Sequence, residues 1–236
     1  MSLGKLSRRW SVAVAGLVVL FTQTVANAEY ALNMTEGVTP ISRDLYSLHM
    51  WVFGVCVVIG VAVFAVMAYS IIYHRKSKGA VASNFHESTT VELIWTIAPL
   101  IILIIIAIPA TGTLLDLEDA KTDADINLQV TGIQWKWKYT YVDEGVTFIS
   151  SLAQSSRDVI DDPTGHENYL LEVDEPIVVP INKKIRFLFH SEDVIHAWWI
   201  PALAVKQDAI PGFINDSWAV IEEPGVYRGQ CAELCG

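Results

Sequence analysis

Residues 45–73 read LYSLHMWVFGVCVVIGVAVFAVMAYSIIY, 29 positions without one Asp, Glu, Lys or Arg. A helix of about 20 such residues crosses the hydrocarbon core of a bilayer. Trp51 near one end, and Tyr69 and Tyr73 near the other, suit the two interfacial belts. The next five residues, His74-Arg75-Lys76-Ser77-Lys78, form a compact positive cluster. Positive loops stay on the cytoplasmic side, so the run before them starts outside. A second charge-free run, 93–115, is rich in Ile and carries Pro99 and Pro109. It returns the chain to the outside, and everything after about Asp116 is expected there. Prolines at membrane depth are tolerated where neighbours satisfy the freed carbonyls, which points to packing in a larger complex.

Upstream, residues 1–28 read as a secretory signal. Lys5, Arg8 and Arg9 form the basic region, 11–21 the short apolar run, and Ala26-Asn27-Ala28 the cleavage site. Uncleaved, the same stretch would be an anchor. Downstream, the periodicity changes to two. Ile126-Asn127-Leu128-Gln129-Val130-Thr131 alternates, and so does Trp135-Lys136-Trp137-Lys138-Tyr139-Thr140-Tyr141. Further short strands are expected at 169–173, 176–180, 184–190 and 218–221, with turns at Asp143-Glu144-Gly145, Asp162-Pro163-Thr164-Gly165 and Glu223-Pro224-Gly225. The polar stretch 150–168 reads as a surface loop. Many short strands with regular turns predict a Greek-key sandwich or barrel. The fold class is therefore membrane-anchored all-β: a signal at 1–28, an N-terminal segment and two-helix hairpin over 29–115, and an outer domain over 116–236.

Composition agrees with this split. The chain has 236 residues, 52% hydrophobic, with a mean hydropathy of +0.38. Residues 1–115 carry net charge +2 and residues 116–236 net −12. An outer domain that acidic attracts basic partners and repels nucleic acid. Three cysteines are too few for a disulfide scaffold, and Cys56, alone in the first apolar run, reads as a small buried hydrophobe.

The other two cysteines lie in Cys231-Ala232-Glu233-Leu234-Cys235. Thiols four residues apart can close a small disulfide loop or turn toward one metal site. Thiolates favour copper, zinc or iron–sulfur over magnesium or calcium. Upstream, His196 sits in the apolar and aromatic stretch Asp193-Val194-Ile195-His196-Ala197-Trp198-Trp199-Ile200-Pro201. Neutral imidazole with two thiolates is a copper-type set.

These residues carry a resemblance. Asp193-Val194-Ile195-His196, then Lys206-Gln207-Asp208-Ala209-Ile210-Pro211-Gly212, then Gly229-Gln230-Cys231-Ala232-Glu233-Leu234-Cys235-Gly236 resemble subunit II of the haem–copper cytochrome c oxidases, bacterial type, from about residue 29 onward. The resemblance implies a cupredoxin-like barrel and a binuclear copper A centre. Cys231 and Cys235 match the bridging thiolates, His196 one terminal imidazole, and Glu233 the residue whose backbone carbonyl is a weak ligand. The Glu233 side chain matches one that reaches magnesium at the boundary with subunit I. The family loop continues Cys-x-Glu-x-Cys-x3-His-x2-Met. The last two ligands would fall beyond Gly236, and the expectation is that the natural chain continues past that residue.

Gln134-Trp135-Lys136-Trp137 resembles the family's Gln-Trp-x-Trp patch, which implies that Trp135 receives electrons from cytochrome c. Ile133, Lys136 and Lys138 depart from the family pattern. Val91-Glu92-Leu93-Ile94-Trp95-Thr96 resembles a stretch whose carboxylate lies at the mouth of a proton channel, a role carried here by Glu92. Glu192 and Asp193 are the candidate docking carboxylates for a basic cytochrome c. The implied partners are subunits I and III and a c-type cytochrome, in a bacterial inner membrane with the outer domain in the periplasm. The implied activity is that of a cytochrome-c oxidase subunit: electrons pass from the copper to haem in subunit I, for oxygen reduction coupled to proton translocation. Two other readings are a copper-free quinol oxidase subunit and a membrane-tethered copper carrier. The ligand set speaks against the first, and the long acidic domain fits the second poorly.

Overall fold

The structure is a computed structural model, and it describes residues 33–236 apart from 83, 85, 123, 165 and 167. The signal expected at 1–28 lies outside the described residues. Helix α1, Pro40–Tyr73, and helix α2, Thr89–Glu118, contain the two charge-free runs; α1 extends past its run at the start only, α2 at both ends. Thr39 caps α1. Its hydroxyl accepts from the Ser42 N–H at 3.0 Å, the Ser42 hydroxyl accepts from the Thr39 N–H at 3.0 Å, and Pro40 fills the first helical turn, where its missing N–H costs nothing. Both helices are long and apolar enough to span a membrane, and side chains such as Phe64 and Ile108 stay exposed. Apolar surface of this extent needs lipid or protein against it. The protein is therefore membrane-anchored. Cys56 is exposed on α1, contrary to the expectation of burial: on this helix pair the apolar faces point outward.

The β-domain follows: β1 Ile126–Ile133, β2 Lys136–Tyr141, β3 Val146–Ser151, the short helix α3 Gln154–Asp158, β4 Lys184–Ser191, β5 His196–Ile200, β6 Val205–Ala209, β7 Asn215–Val220 and β8 Gln230–Cys231. Five strands form one sheet in the order β3-β2-β1-β4-β7, and three form a second, β6-β5-β8. β1 and β4 run parallel; the remaining pairs are antiparallel. One core lies between the sheets. Strict alternation along β4 buries Ile185, Phe187 and Phe189, and the indole of Trp198 on β5 packs on both phenylalanines at 5.0 and 5.6 Å. Its Nε1–H donates to the Tyr139 hydroxyl at 3.1 Å, and burial pushes that phenol up to about 12.

Three expected strands need correction. Residues 176–180 run beside β2 but form no ladder. Pro176 and Pro180 lack the N–H, and the Tyr141 hydroxyl takes the place of a partner strand, donating to the Val178 carbonyl at 2.7 Å and accepting from its N–H at 3.0 Å. Residues 169–173 are mostly turn, with Leu170 at φ 63° and one isolated bridge between Val173 and Leu152. Trp135 does not start β2; it sits with Gln134 in the two-residue turn after β1.

Both membrane helices are tied to the β-domain. Val38 N–H donates to the Ala202 carbonyl at 2.9 Å, Thr39 Oγ1 donates to the Leu203 carbonyl at 3.2 Å, and Arg43 pairs with Glu222. At the end of α2, Trp218 Nε1–H donates to the Asp116 carbonyl at 3.0 Å. Lys184 Nζ lies 4.4 Å from the Trp218 ring centre and donates to the carbonyls of Asp119 and Thr122 at 2.7 Å each. Residues 202 and 203 form the turn directly after β5, the strand that opens with His196.

Candidate metal centre

β5 is buried along almost its whole length, and His196 at its start is 3% exposed. Its ring lies over Gly132 of β1. A Cβ there would stand 2.6 Å from His196 Cδ2, a clash, so only glycine leaves room for the imidazole. Trp137, the cross-strand partner of Gly132, meets the ring edge-on at 5.7 Å and 62°.

Asp193 orients the same ring. Its Oδ1 lies 2.8 Å from His196 Nε2 and 2.7 Å from the Val194 N–H, while Oδ2 accepts from the Gln134 N–H at 2.7 Å. Burial by itself would raise the pKa of this carboxyl. The bonds from His196, Gln134 and Val194 outweigh that effect and hold it well below the usual carboxylate range. An ionised carboxylate only accepts, so Nε2 carries a proton, and in the neutral ring Nδ1 then has the lone pair for a metal.

The cysteine loop reaches this histidine through β8. Cys231 pairs with Trp198 and Gln230 with Trp199, and the Ala232 N–H donates to the Ala197 carbonyl at 2.9 Å. At Gly229 a Cβ would stand 2.3 Å from the Trp199 carbonyl, so glycine is what lets the chain press onto β5. The far end of the loop is held from another side: Gln134 Nε2 donates to the Cys235 carbonyl at 2.9 Å. The two sulfurs lie 3.7 Å apart as free thiols, well beyond the roughly 2.05 Å of a disulfide. Burial raises the Cys235 thiol, and Cys231 beside it adds to the shift. The ligand atoms of His196, Cys231 and Cys235 all lie within 4.8 Å of one another. Two sulfurs and an imidazole at this spacing fit a soft metal such as copper, whose binding displaces the thiol protons.

The other expected site residues lie near this cluster, except Glu92. The Glu233 carbonyl lies 3.8 Å from Cys231 Sγ, while its side chain folds back to accept from the Leu234 N–H at 2.9 Å. Trp135 is 69% exposed, and a Cβ at Gly236 would stand 3.5 Å from its indole. Glu192 pairs with Lys138, so that lysine does not stand as a free cation beside the tryptophans. Glu92 is exposed in the first turn of α2, at the opposite end of that helix from the contacts to the β-domain. His190 is held apart, its Nδ1 3.2 Å from the Phe213 carbonyl. Sequence reasoning missed the orienting work of Asp193, the space left by Gly132 and both bonds of Gln134. Asp193 three residues before His196, and a glycine inside a strand, were the available signals.

Known proteins match both parts of the chain. Residues 126–236 match the family described as "Cytochrome C oxidase subunit II, periplasmic domain", and residues 27–112 match "Cytochrome C oxidase subunit II, transmembrane domain". The probable cytochrome c oxidase subunit 2 of Rickettsia bellii is 33% identical over 227 residues, covering 95% of this chain and 82% of the relative. The mitochondrial cytochrome c oxidase subunit 2 of Glycine max is 36% identical over 208 residues, which cover 88% of this chain. The chain spans about half of that soybean relative, 53% of its length. Among solved structures, the periplasmic domain of subunit II of cytochrome oxidase from Bradyrhizobium japonicum is 44% identical, covering 48% of this chain and 75% of that one, with a TM-score of 0.41. With both of its parts matched and a relative covered over four fifths of its length, the chain belongs to the cytochrome c oxidase subunit II family.

Proposed function

We propose that this chain is the electron-accepting subunit of a respiratory cytochrome c oxidase, taking single electrons from a c-type cytochrome and passing them toward haem in subunit I. The observation that supports this most is the cluster of His196, Cys231 and Cys235, with its thiols 3.7 Å apart. The two thiolates and His196 Nδ1 would hold a binuclear copper centre, with the Glu233 carbonyl as a weak ligand. Copper here would supply one-electron transfer, the charge change spread over two metals and two sulfurs.

The chain's own residues do the rest. Asp193, Gly132 and Trp137 hold His196 in one orientation. A ligand that cannot turn keeps the geometry constant between redox states, which favours fast transfer. Trp135 would meet the donor, a reading supported by its exposure beside the end of the cysteine loop. The net −12 of residues 116–236 steers a basic cytochrome toward it, and Glu192 and Asp193 contribute to that field. The basic cluster at 74–78 stays in the cytoplasm of a bacterial cell, and the β-domain lies in the periplasm. Glu92 then opens on the cytoplasmic side, at the mouth of a proton channel shared with subunit I; subunit III completes the complex. The Glu233 carboxylate is assigned to magnesium at the subunit I boundary, a role that requires it to leave its bond to Leu234.

Stopped-flow mixing of the oxidised protein with a reduced, basic c-type cytochrome tests the reading. Second-order oxidation of the cytochrome that slows steeply with added salt is the expected result. No oxidation of the cytochrome, or rapid loss of copper to a chelator as for a carrier, would overturn it.

A further inference from the structure

We infer that Gln134 is a positioning residue that ties the two arms of the ligand set to each other and sets the spacing of Cys235 against Cys231. The inference rests on reading this cluster as a metal centre. The ligands arrive on two separate segments. His196 opens β5 behind the β4–β5 loop that carries Asp193, whereas the cysteines follow β8. Gln134 reaches both. Its backbone N–H donates to Asp193 Oδ2 at 2.7 Å, and its side-chain Nε2 donates to the Cys235 carbonyl at 2.9 Å. These partners are 59 and 101 residues away in sequence.

The two cysteines are not held alike. Cys231 is fixed by ladder pairing with Trp198 and by the following Ala232 N–H on Ala197. Cys235 lies outside any strand. Among the described residues, apart from its contact with Cys231, the bond from Gln134 is what anchors it to the rest of the domain. Gln134 itself belongs to the two-residue turn closing the β1–β2 ladder, whose last pair is Ile133 with Lys136. That turn also carries Trp135, against which Gly236 packs. The exposed indole, the histidine arm and the cysteine arm thus share one anchor. Replacing the Gln134 side chain leaves its backbone bond to Asp193 in place, so the two halves of the tie separate cleanly.

The test uses the full chain, metal-free and reduced, in detergent, comparing wild type with Gln134→Glu and Gln134→Leu. Iodoacetamide labelling of each cysteine is followed by mass spectrometry, with Cys56 on α1 as an internal reference. Glu keeps the shape and loses the donor; Leu loses the donor without adding charge. Both variants should raise the labelling rate of Cys235 relative to Cys231, by about 2- to 10-fold if one net hydrogen bond is lost. A wild-type ratio in either variant would overturn the inference. So would equal acceleration of both cysteines, which would mean that Gln134 supports the fold and not this arm. In a second arm, copper-loaded protein should lose metal to a chelator faster in both variants, and unchanged release would count against the tie. A wild-type chain that takes up no copper contradicts the proposed function instead, and the labelling ratio still decides the role of Gln134.

Discussion

The Asp193 carboxylate accepts from His196 Nε2 at 2.8 Å, and this bond fixes which ring nitrogen is left for a metal. Asp193→Asn keeps the shape but removes the charge that holds the proton on Nε2. Partners of this kind typically matter about 10- to 100-fold in metal affinity. Competition between the reduced protein and a copper chelator should show a loss of that size. Asparagine with wild-type affinity would mean that the packing of Gly132 and Trp137 is sufficient to set the ring.

Gly132 makes the second claim on His196. In Gly132→Ala the new methyl would stand 2.6 Å from Cδ2, so either the imidazole or β1 must move. Overpacking of this kind costs about 1–3 kcal/mol. Denaturant unfolding of the metal-free protein should show that loss, together with weakened copper binding. Full copper affinity in a stably folded Gly132→Ala would remove the glycine from the account.

Docking and transfer are separable at the β1–β2 turn. Trp135→Gln should leave association with the cytochrome near normal and make electron acceptance much slower, because the exposed indole is lost and the charges are not. Glu192→Gln should do the reverse, lowering the association rate and flattening its salt dependence. It also releases Lys138 from its ion pair, which adds a positive charge to the same surface. Stopped-flow traces at several ionic strengths, extrapolated to saturating cytochrome, distinguish the two effects.

Glu92 lies at the other end of α2, and the proposed function gives it to a different process. Glu92→Gln should slow proton-coupled turnover of the assembled oxidase while metal reduction by cytochrome c stays at the wild-type rate. Failure of metal reduction with normal turnover on artificial donors would reverse the assignment of membrane sides.

How much of this was legible beforehand depended on how local the signal was. The helices were legible because lack of charge over 20 or more residues is a property of the run itself. β4 was legible because Ile185 to Phe189 is a short, mostly apolar and aromatic run, although its strict in–out alternation shows only in the folded chain. β5 gave no alternation, since both of its faces are covered, and β8 is two residues long and exists only by pairing with it. Residues 176–180 looked like a strand by composition, yet Pro176 and Pro180 break the ladder and a tyrosine hydroxyl substitutes for it. In the site, the ligand types and their order were in the sequence. The bonds of Gln134 to Asp193 and Cys235 were not, because sequence spacing carries no information about a turn meeting two loops 59 and 101 residues away.

The central claim is a copper pair shared by Cys231 and Cys235 and completed on one side by His196. Electron paramagnetic resonance of the oxidised protein, purified from its own membranes, tests it most directly. The account predicts one unpaired electron coupled equally to two copper nuclei. A signal with the hyperfine pattern of a single copper, or copper-free protein with a Cys231–Cys235 disulfide, would contradict it.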